Sequence, residues 1–333
     1  MTMRATIKDV AREAGVSVAT VSRVLNGSPN VSEASAKLVN ETIERLGYSP
    51  NFLGRNLRKR ATNVILVIMP NAEHSLYMQI CVGMQNYAQK AGYDIITASS
   101  NATTAVETRH MNMLFNRTVD GVVLMGTSYD ARSLNDLAKN YDIALCCEGV
   151  TGADVLTVTV DDEQAGYDAG IALIKEGHKR LAFIGAESTA LSASRRENGF
   201  RRALADNGID LPPELVYKNT YDQDNGAVAM ERFLGLPEPP TAVFAVSDTL
   251  AMCAIRKAVE MGLAVGKDIS VMGFDNISMC ELTNPSLSTV EQPCYKMGEL
   301  VCRKLIDNIS SDQKDNSYYT VAHRIILRES TGD

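Results

Sequence analysis

Apolar positions along the chain change their spacing near residue 61. Before it, from residue 7 to residue 46, they recur three and four positions apart, which is typical of amphipathic helices. From residue 63 onward, short apolar runs bounded by polar and glycine-containing turns alternate with longer stretches of helical spacing. This alternation predicts parallel sheets built from β–α–β units. The pattern therefore divides the chain into a small helical head, residues 1–60, and a large α/β body.

Three helices are predicted in the head. Thr6, Ser17 and Ser32 precede them at positions where a hydroxyl can cap a helix. Gly15 and Gly47 suit the left-handed residue that ends a helix. The third helix has a predicted core face of Leu38, Val39, Ile43 and Leu46. The first two helices with their short turn form the helix-turn-helix arrangement, whose second helix enters the major groove of DNA.

The candidate DNA contacts begin with the second helix of the head. Arg23 can read a guanine with its planar guanidinium group, while Val18 and Ala19 can contact a thymine methyl group. Short hydroxyl side chains can hold phosphates, and those near this helix are Ser17, Thr20 and Ser22. The further candidate contacts of the head are Thr6, Asn26 and Asn30.

The body is predicted to contain two runs of five strands. The first run is 63–69, 93–99, 119–125, 142–147 and 155–160, and the second is 180–185, 215–218, 241–246, 269–274 and 288–292. Helices are predicted near 75–91, 103–117, 131–140, 162–177, 193–208, 224–235, 249–262 and 294–309. Ligands of such sheets bind beyond the carboxyl ends of the strands. Polar residues just after the strands are therefore the candidate binding residues.

The charge of the chain is unevenly distributed. All 333 residues carry a net charge of −7, which by itself argues against nucleic acid as a partner. The head, however, has ten basic and five acidic side chains, so it is +5 and the remaining 273 residues are −12. A small basic head on an acidic body is typical of nucleic-acid binding, although a solvated basic face would have the same composition.

Composition excludes several other classes of protein. No apolar run approaches the ~18 residues of a membrane span, and no secretory signal precedes the first helix, so a soluble cytoplasmic protein is expected. Seven scattered cysteines and four scattered histidines show no metal-ligand spacing, so neither a metal nor a cofactor is predicted. The Gly-x-Ser-x-Gly, phosphate-binding-loop and His-Glu-x-x-His motifs are absent, so the chain is not expected to be an enzyme.

Several sequence strings carry a family resemblance. DVAREAGVSVATVSRVLNGSPNVS and ERLGYSPNFLGRNLR in the head resemble the LacI/GalR family of bacterial transcription regulators. The resemblance continues through RRENGF, PPTAVFAVSD, ISVMGFDN, PSLSTVEQP and ILRES, and much of the carboxy-terminal half is similar to the nucleoside-responsive branch around the cytidine regulator. It implies a body like the periplasmic sugar-binding proteins, with two doubly wound parallel-sheet lobes and three crossovers between them.

The resemblance also implies domain boundaries. Residues 1–50 would be the helix-turn-helix domain, 51–60 a hinge helix and linker, and 61–333 the effector-binding and dimerisation domain. Within the last of these, lobe one would comprise about 61–161 and 293–317, and lobe two about 162–290 and 318–330.

A short hinge helix is the second DNA-binding element that the resemblance implies. Leu57 matches the leucine that wedges into the minor groove and kinks the duplex. Asn51, Arg55 and Arg58 would contact the DNA beside it. A flexible linker with a chance leucine is the alternative interpretation. Because one helix-turn-helix reads one half-site, a homodimer on a pseudo-palindromic operator is expected, with a central CG step that the family implies.

Effector-binding residues are carried over motif by motif. Arg196 matches the arginine of the R-x-x-G-F motif, Asp275 matches an aspartate that accepts ligand hydroxyls, and Asp248 lies beside the pocket. The other candidates, from strand ends and matching loops, are His74, Tyr77, Thr127, Glu148, Asp161 and Tyr221. Alternatives remain open: a structural ion pair between Arg196 and Asp275, a satisfied loop histidine at position 74, and a surface aromatic at position 221.

The sequence thus predicts a DNA-binding transcriptional regulator, a repressor, in the bacterial cytoplasm and associated with the nucleoid. Its operator affinity would be controlled by a small effector bound between the lobes, with a sugar favoured and a nucleoside next. The competing hypothesis is a small-molecule binding or transport receptor without a DNA role.

Overall fold

Two compact units make up the protein. The computed structural model describes residues 5–25, 28, 30–48, 61–187, 190–219 and 224–332. Contacts between residues divide the chain into the units Met1–Thr62 and Asn63–Asp333. Within the described ranges, no helix combines the length and apolarity that crossing a membrane requires.

Three helices lie in the described part of the first unit: α1 is Ile7–Glu13, α2 is Val18–Leu25 and α3 is Glu33–Leu46. The Thr6 hydroxyl accepts from the amide of Asp9, and the Asp9 carboxylate accepts from the amide of Thr6, so a capping box begins α1. Ser17 and Ser32 accept from the amides three residues later, as predicted. The helices enclose a small core of Val10, Ala11, Ala14, Val21 and Val39.

The predicted core face of α3 contains one error. Leu38 is 46% exposed, whereas Thr42 is 3% exposed and its hydroxyl donates to the carbonyl of Leu38 at 2.8 Å. The buried face runs through Val39, Thr42, Ile43 and Leu46, which keeps the helical spacing of three and four residues. Leu38 lies one position away from this stripe and faces solvent.

Twelve strands lie in the described part of the second unit. They are β1 Val64–Met69, β2 Asp94–Ser99, β3 Gly121–Leu124, β4 Asp142–Cys146, β5 Leu156–Val160, β6 Leu181–Ala186, β7 Val216–Asn219, β8 Ala242–Ala245, β9 Ser270–Asp275, β10 Ser288–Glu291, β11 Tyr318–Val321 and β12 Arg324–Ile326. The helices are α4 Ser75–Ala91, α5 Thr104–Phe115, α6 Ala131–Ala138, α7 Asp162–Lys175, α8 Leu191–Asp206, α9 Asp224–Leu234, α10 Asp248–Glu260 and α11 Cys294–Ile309. Short 3₁₀ turns cover Pro213–Leu215, Ser278–Glu281 and Glu329–Thr331.

The strands form two six-stranded sheets with the same layout. The first has the order β2-β1-β3-β4-β5-β11 and is parallel throughout, and the second has the order β7-β6-β8-β9-β10-β12. In the second sheet only β12 is antiparallel to its neighbour. Each sheet with its helices is one lobe, so the predicted α/β class with two doubly wound lobes is confirmed.

The assignment of residues 318–330 to lobe two is wrong at its beginning. Tyr318–Val321 is β11, which pairs with β5 at the edge of the first sheet. Only from β12 does the chain belong to the second sheet. The chain crosses between the lobes three times, after β5, after β10 and after β11.

Candidate DNA-binding helix and effector cleft

The start of α2 presents the predicted DNA-reading side chains outward. Ser17, Val18, Ala19 and Arg23 are exposed, and Thr20 is half-buried. The Ser17 hydroxyl accepts from the amide of Thr20 at 3.1 Å and thereby caps the start of α2. It also lies 2.9 Å from the hydroxyl of Thr20. The amino-terminal turn and Arg23 therefore form one accessible surface, suited to a groove of DNA.

The other predicted DNA contacts are placed differently. Thr6 is exposed, and its hydroxyl donates to Asp9 at 2.7 Å within the cap of α1. Ser22 is half-buried on α2, and Asn30 is exposed after it. The predicted contacts that lie outside the described residues are Asn26, Asn51, Arg55, Leu57 and Arg58. The hinge helix consequently stays a prediction.

Two glycines bring α7 and α8 into close contact in the second lobe. A Cβ atom on Gly199 would lie 1.8 Å from the carbonyl oxygen of Glu163, and one on Gly166 would lie 2.1 Å from that of Arg196. Only glycine leaves room for the two backbones at this distance. The crossing places Arg196 on α8 against Asp162 at the start of α7. Gly199, the glycine of the R-x-x-G-F motif, thus allows the close helix packing that positions Arg196, the arginine of the same motif.

Arg196 is buried at the carboxyl ends of the second sheet. Its Nε donates to Asp162 Oδ1 at 2.8 Å, and its Nη1 donates to the carbonyl of Val246 at 2.8 Å. The same Nη1 lies 3.7 Å from Asp275 Oδ1, and the guanidinium carbon lies 3.6 Å from the ring centre of Phe274. Charge pairing and a cation–π contact therefore hold the side chain in one position.

Asp275 lies between Arg196 and the first lobe. Its backbone φ is 119°, a strained conformation for a residue with a side chain, and strain of this kind is concentrated at functional sites. Its Oδ1 accepts from Gln292 Nε2 at 2.7 Å, and its Oδ2 lies 3.8 Å from His74 Nε2. Burial raises the pKa of Asp275, while Arg196 and His74 act in the opposite direction.

His74 belongs to the first lobe, where it precedes α4. Its Nδ1 is buried and has no hydrogen-bond partner within the described structure. Buried polar atoms are nearly always satisfied, so this exception needs an explanation. His74 also packs against Tyr77, with ring centres 5.4 Å apart.

A second contact between the lobes involves Glu148, which follows β4. The hydroxyl of Ser192 on α8 donates to Glu148 Oε1, and the amide of Ser192 donates to Oε2 at 3.3 Å. Burial raises the pKa of Glu148, and the charge of Asp162 raises it further. We call the space between the lobes, bordered by His74, Glu148, Arg196 and Asp275, the cleft.

Asp248 lies behind Asp275 and not among the residues that border the cleft. It is fully buried, and its oxygens accept from the hydroxyl of Thr289 at 2.5 Å and the amide of Ile277 at 2.9 Å. Burial, and then the charge of Asp275, raise the pKa of Asp248 to about 7. Asp248 therefore fastens the loop that follows Asp275.

Two other predicted effector residues have visible structural roles. Thr127 donates to the buried carboxylate of Glu107, which also accepts from the amide of Ser128 at 2.9 Å. Asp161 is exposed and caps α7 by accepting from the amide of Gln164 at 3.0 Å. Neither has a contact with the cleft residues named above in the described structure. Tyr221 lies outside the described residues.

Asp162 is a partner of Arg196 that the sequence analysis did not single out. Its neighbour Asp161 caps α7. Asp162 is instead buried and holds Arg196. The pair of glycines Gly166 and Gly199, on the successive helices α7 and α8, is the sequence feature that could have indicated the close contact between Asp162 and Arg196.

Two surface cavities lie away from the cleft. One of about 730 Å³ is lined by residues such as His178, Arg180 and Asn207, and one of about 320 Å³ by Asp168, Ile325 and neighbours. Neither of these two is lined by a residue that borders the cleft.

A helix-turn-helix unit followed in the chain by a two-lobed α/β body is the arrangement of a class of DNA-binding transcriptional regulators. Residues 6–51 match the family described as bacterial regulatory proteins of the lacI family, and residues 172–331 match the periplasmic binding protein-like domain. The chain is 35% identical to catabolite control protein A of Priestia megaterium, over 99% of this chain and 100% of that protein. It is 31% identical to the transcriptional repressor CytR of Escherichia coli K12, over 98% of this chain and 96% of that protein.

Solved structures have the same fold. The lac repressor dimer bound to operator and the anti-inducer ONPF matches with a TM-score of 0.88 and 22% identity, over 99% of this chain and 100% of that one. The complex of the transcriptional regulator CelR with cellobiose matches with a TM-score of 0.74 and 29% identity, over 98% and 100%. The chain belongs to the LacI family of bacterial regulators and is a DNA-binding transcriptional regulator.

Proposed function

We propose that this regulator is a repressor whose affinity for its operator is controlled by a small molecule bound in the cleft. The observation that carries the proposal is the group of Arg196, Asp275 and His74, which joins the two lobes and leaves His74 Nδ1 unpaired. An arginine and carboxylates can fix the hydroxyl groups of a sugar, which is favoured, or of a nucleoside. The named repressor activity of CytR and the cellobiose of the CelR complex support this assignment.

The effector acts by replacing direct contacts between the lobes. His74 with Asp275, and Glu148 with Ser192, join the lobes directly, so a ligand between them replaces these contacts. A ligand shifts the balance of two states only through its different affinity for each. The changed lobe angle then reaches residues 51–58, which precede β1 in the chain, and alters the ability of Leu57 to enter the minor groove. The protein acts as a homodimer in the cytoplasm, where chromosomal DNA lies.

Membership of a DNA-binding family argues against the transport-receptor hypothesis. The regulator proposal is tested by titrating operator DNA with and without ligands that raise the melting temperature of the protein.

Arg196→Ala is expected to abolish the response to ligand while operator affinity without ligand persists. Leu57→Ala is expected to weaken operator binding and leave ligand affinity within twofold. An unchanged ligand response in Arg196→Ala would contradict the proposed site.

Arg23 provides the test of the DNA-reading surface. Arg23→Ala is expected to weaken specific operator binding by about 1–3 kcal/mol per half-site, because a guanidinium contact to guanine is lost. Arg45→Ala, which removes an exposed arginine of α3 paired with Glu13, is the matched control. Equal operator affinities of the two variants at fixed salt would contradict the assignment of Arg23 to the DNA-reading surface.

A further inference from the structure

Three carboxylates meet at the cleft. Asp162 and Asp275 are buried beside the guanidinium group of Arg196, and Glu148 approaches from the other lobe. The cations near them are Arg196, His74 when protonated, and the half-buried Arg195, which donates to the hydroxyl of Tyr318 at 3.4 Å.

The positive charge of Arg196 is already paired. Its Nε donates to Asp162, and Asp275 lies within 3.7 Å of its Nη1. The carboxylates also act on one another: the charge of Asp162 raises the pKa of Glu148 and of Asp275. The guanidinium group of Arg196 therefore faces two buried carboxylates and offers no unpaired positive charge to a further anion.

Three helix amino termini of the second lobe are occupied by acceptors of the protein itself. The amides at a helix amino terminus form a ready site for phosphate or carboxylate groups. At α8 the amide of Ser192 donates to Glu148, a carboxylate supplied by the opposite lobe. At α7 the amide of Gln164 donates to Asp161, and at α10 the amide of Leu250 donates to Ser247. Glu148 thus stands where the phosphate of a ligand would otherwise be held.

One oxygen of Asp275 is an unused acceptor in the described part of the cleft. Asp275 Oδ2 is 3.8 Å from His74 Nε2, which is beyond hydrogen-bond distance, so this oxygen can accept from a ligand. A ligand hydroxyl or amino group supplies the donor that a carboxylate needs, whereas a phosphate or carboxylate group supplies only acceptors and negative charge.

We infer that the effector is a hydrogen-bond-donating compound without negative charge, and that Glu148 makes the cleft reject phosphate esters and sugar acids. The inference rests on the proposed function, because it assigns the ligand class of the same cleft. Glu148 is then a specificity-determining residue, in addition to its contact between the lobes.

The test compares matched ligands on the full-length protein by thermal shift and calorimetry. The sets are glucose, glucosamine, glucose 6-phosphate and glucuronate; ribose and ribose 5-phosphate; and cytidine and cytidine 5′-monophosphate, with cellobiose added. In every set that binds, the uncharged or amino compound is expected to bind at least tenfold more tightly than its anionic counterpart. A phosphate ester or sugar acid that binds as tightly as its parent overturns the inference.

The variant Glu148→Gln tests the role of the carboxylate directly. It keeps the size of the side chain and one acceptor oxygen, so the preference for the uncharged member of a set is expected to fall by threefold or more. Glu176→Gln, which alters an exposed glutamate beyond α7, is the matched control and keeps the wild-type preference. An unchanged preference in Glu148→Gln refutes the role of Glu148.

Different results would contradict the inference about ligand charge and the proposed control by a small molecule. Binding by anionic compounds alone contradicts the charge inference and leaves the effector cleft intact. The absence of a response to every compound of either charge counts against the proposed control by a small molecule.

Discussion

Arg196 is the residue on which the charges of the cleft depend. Its removal leaves Asp162 and Asp275 buried without a cation, and an uncompensated buried charge is far more costly than the loss of an exposed pair. Arg196→Met is expected to lower the free energy of unfolding by about 3–5 kcal/mol, as measured by denaturant unfolding. Arg202→Met removes an exposed arginine of the same helix that pairs with Glu163, and it is expected to cost about 1 kcal/mol or less. Similar losses in the two variants would contradict the charge argument.

Asp248 gives stability a defined dependence on pH. The pKa of its carboxyl group is about 7 in the folded protein against an ordinary value of 3.8. Between these values the folded state holds more protons than the unfolded state, so this group's contribution to stability falls as pH rises. The unfolding free energy of Asp248→Asn minus that of wild type is expected to increase from pH 5 to pH 7, by at most about 1.4 kcal/mol per pH unit. A constant difference between the two unfolding free energies would show that Asp248 is ionised throughout.

Individual site residues differed in how far the sequence revealed them. Arg196 and Asp275 followed from a motif, and His74 and Glu148 followed from the rule that ligands meet the carboxyl ends of strands. Asp162 could not be assigned, because its neighbour Asp161 carries the same charge and only the helix crossing tells them apart. Arg196 pairs with Asp162 and lies 3.7 Å from Asp275, as the structural ion-pair interpretation expects, and its role in binding stays a prediction.

At the scale of elements, the crossing of α7 and α8 sets the position of the charged group. A Cβ atom on Gly199 would lie 1.8 Å from the carbonyl oxygen of Glu163, so the helices would have to move apart. Gly199→Ala is expected to destabilise the protein by about 1–3 kcal/mol, as overpacking does, and to weaken ligand binding through the displaced Arg196. The readouts are the unfolding free energy and the affinity for a ligand found by thermal shift.

Gly235→Ala is the control for this substitution. Its added Cβ would lie 3.4 Å from the nearest neighbouring atom, the carbonyl oxygen of Glu231, which is an ordinary contact. Its stability is expected to remain within about 0.5 kcal/mol of wild type. If Gly199→Ala behaves like Gly235→Ala, the close crossing does not control the site.

Helices α4 and α11 and the strands of the first run were the most predictable elements. The two helices begin and end at the predicted residues, and β1 to β5 lie within one or two residues of the predicted ranges, including β2 at the exposed edge of its sheet. The sequence did not predict β11, because Tyr318–Val321 is an edge strand with exposed and half-buried positions and lacks the apolar run of a central strand. Its partner β5 is more than 150 residues earlier, so only the tertiary fold identifies the pairing.

At the scale of the whole molecule, the division into Met1–Thr62 and Asn63–Asp333 matches the division of charge. A chain that begins at residue 63 is expected to fold, to bind the effector with wild-type affinity and to lose operator binding by at least 100-fold, because the basic surface supplies phosphate contacts. Calorimetry with the ligand and an electrophoretic shift with operator DNA measure the two activities. Retention of operator affinity by the shortened chain would contradict the assignment of DNA binding to the head.

The three crossings between the lobes have a consequence for the order of folding during synthesis. The chain of the second lobe is continuous from α7 to β10 and then lacks only the edge strand β12 and the 3₁₀ turn Glu329–Thr331, whereas the first lobe begins earlier and still needs α11 and β11. Helix α11 packs on α4, and Gly298 and Gly83 lie at their contact, so one face of the first sheet stays uncovered until residues 294–321 leave the ribosome. Domains fold as units during translation. We therefore expect the second lobe to become protease-resistant on the nascent chain before the first, although the first is synthesised earlier.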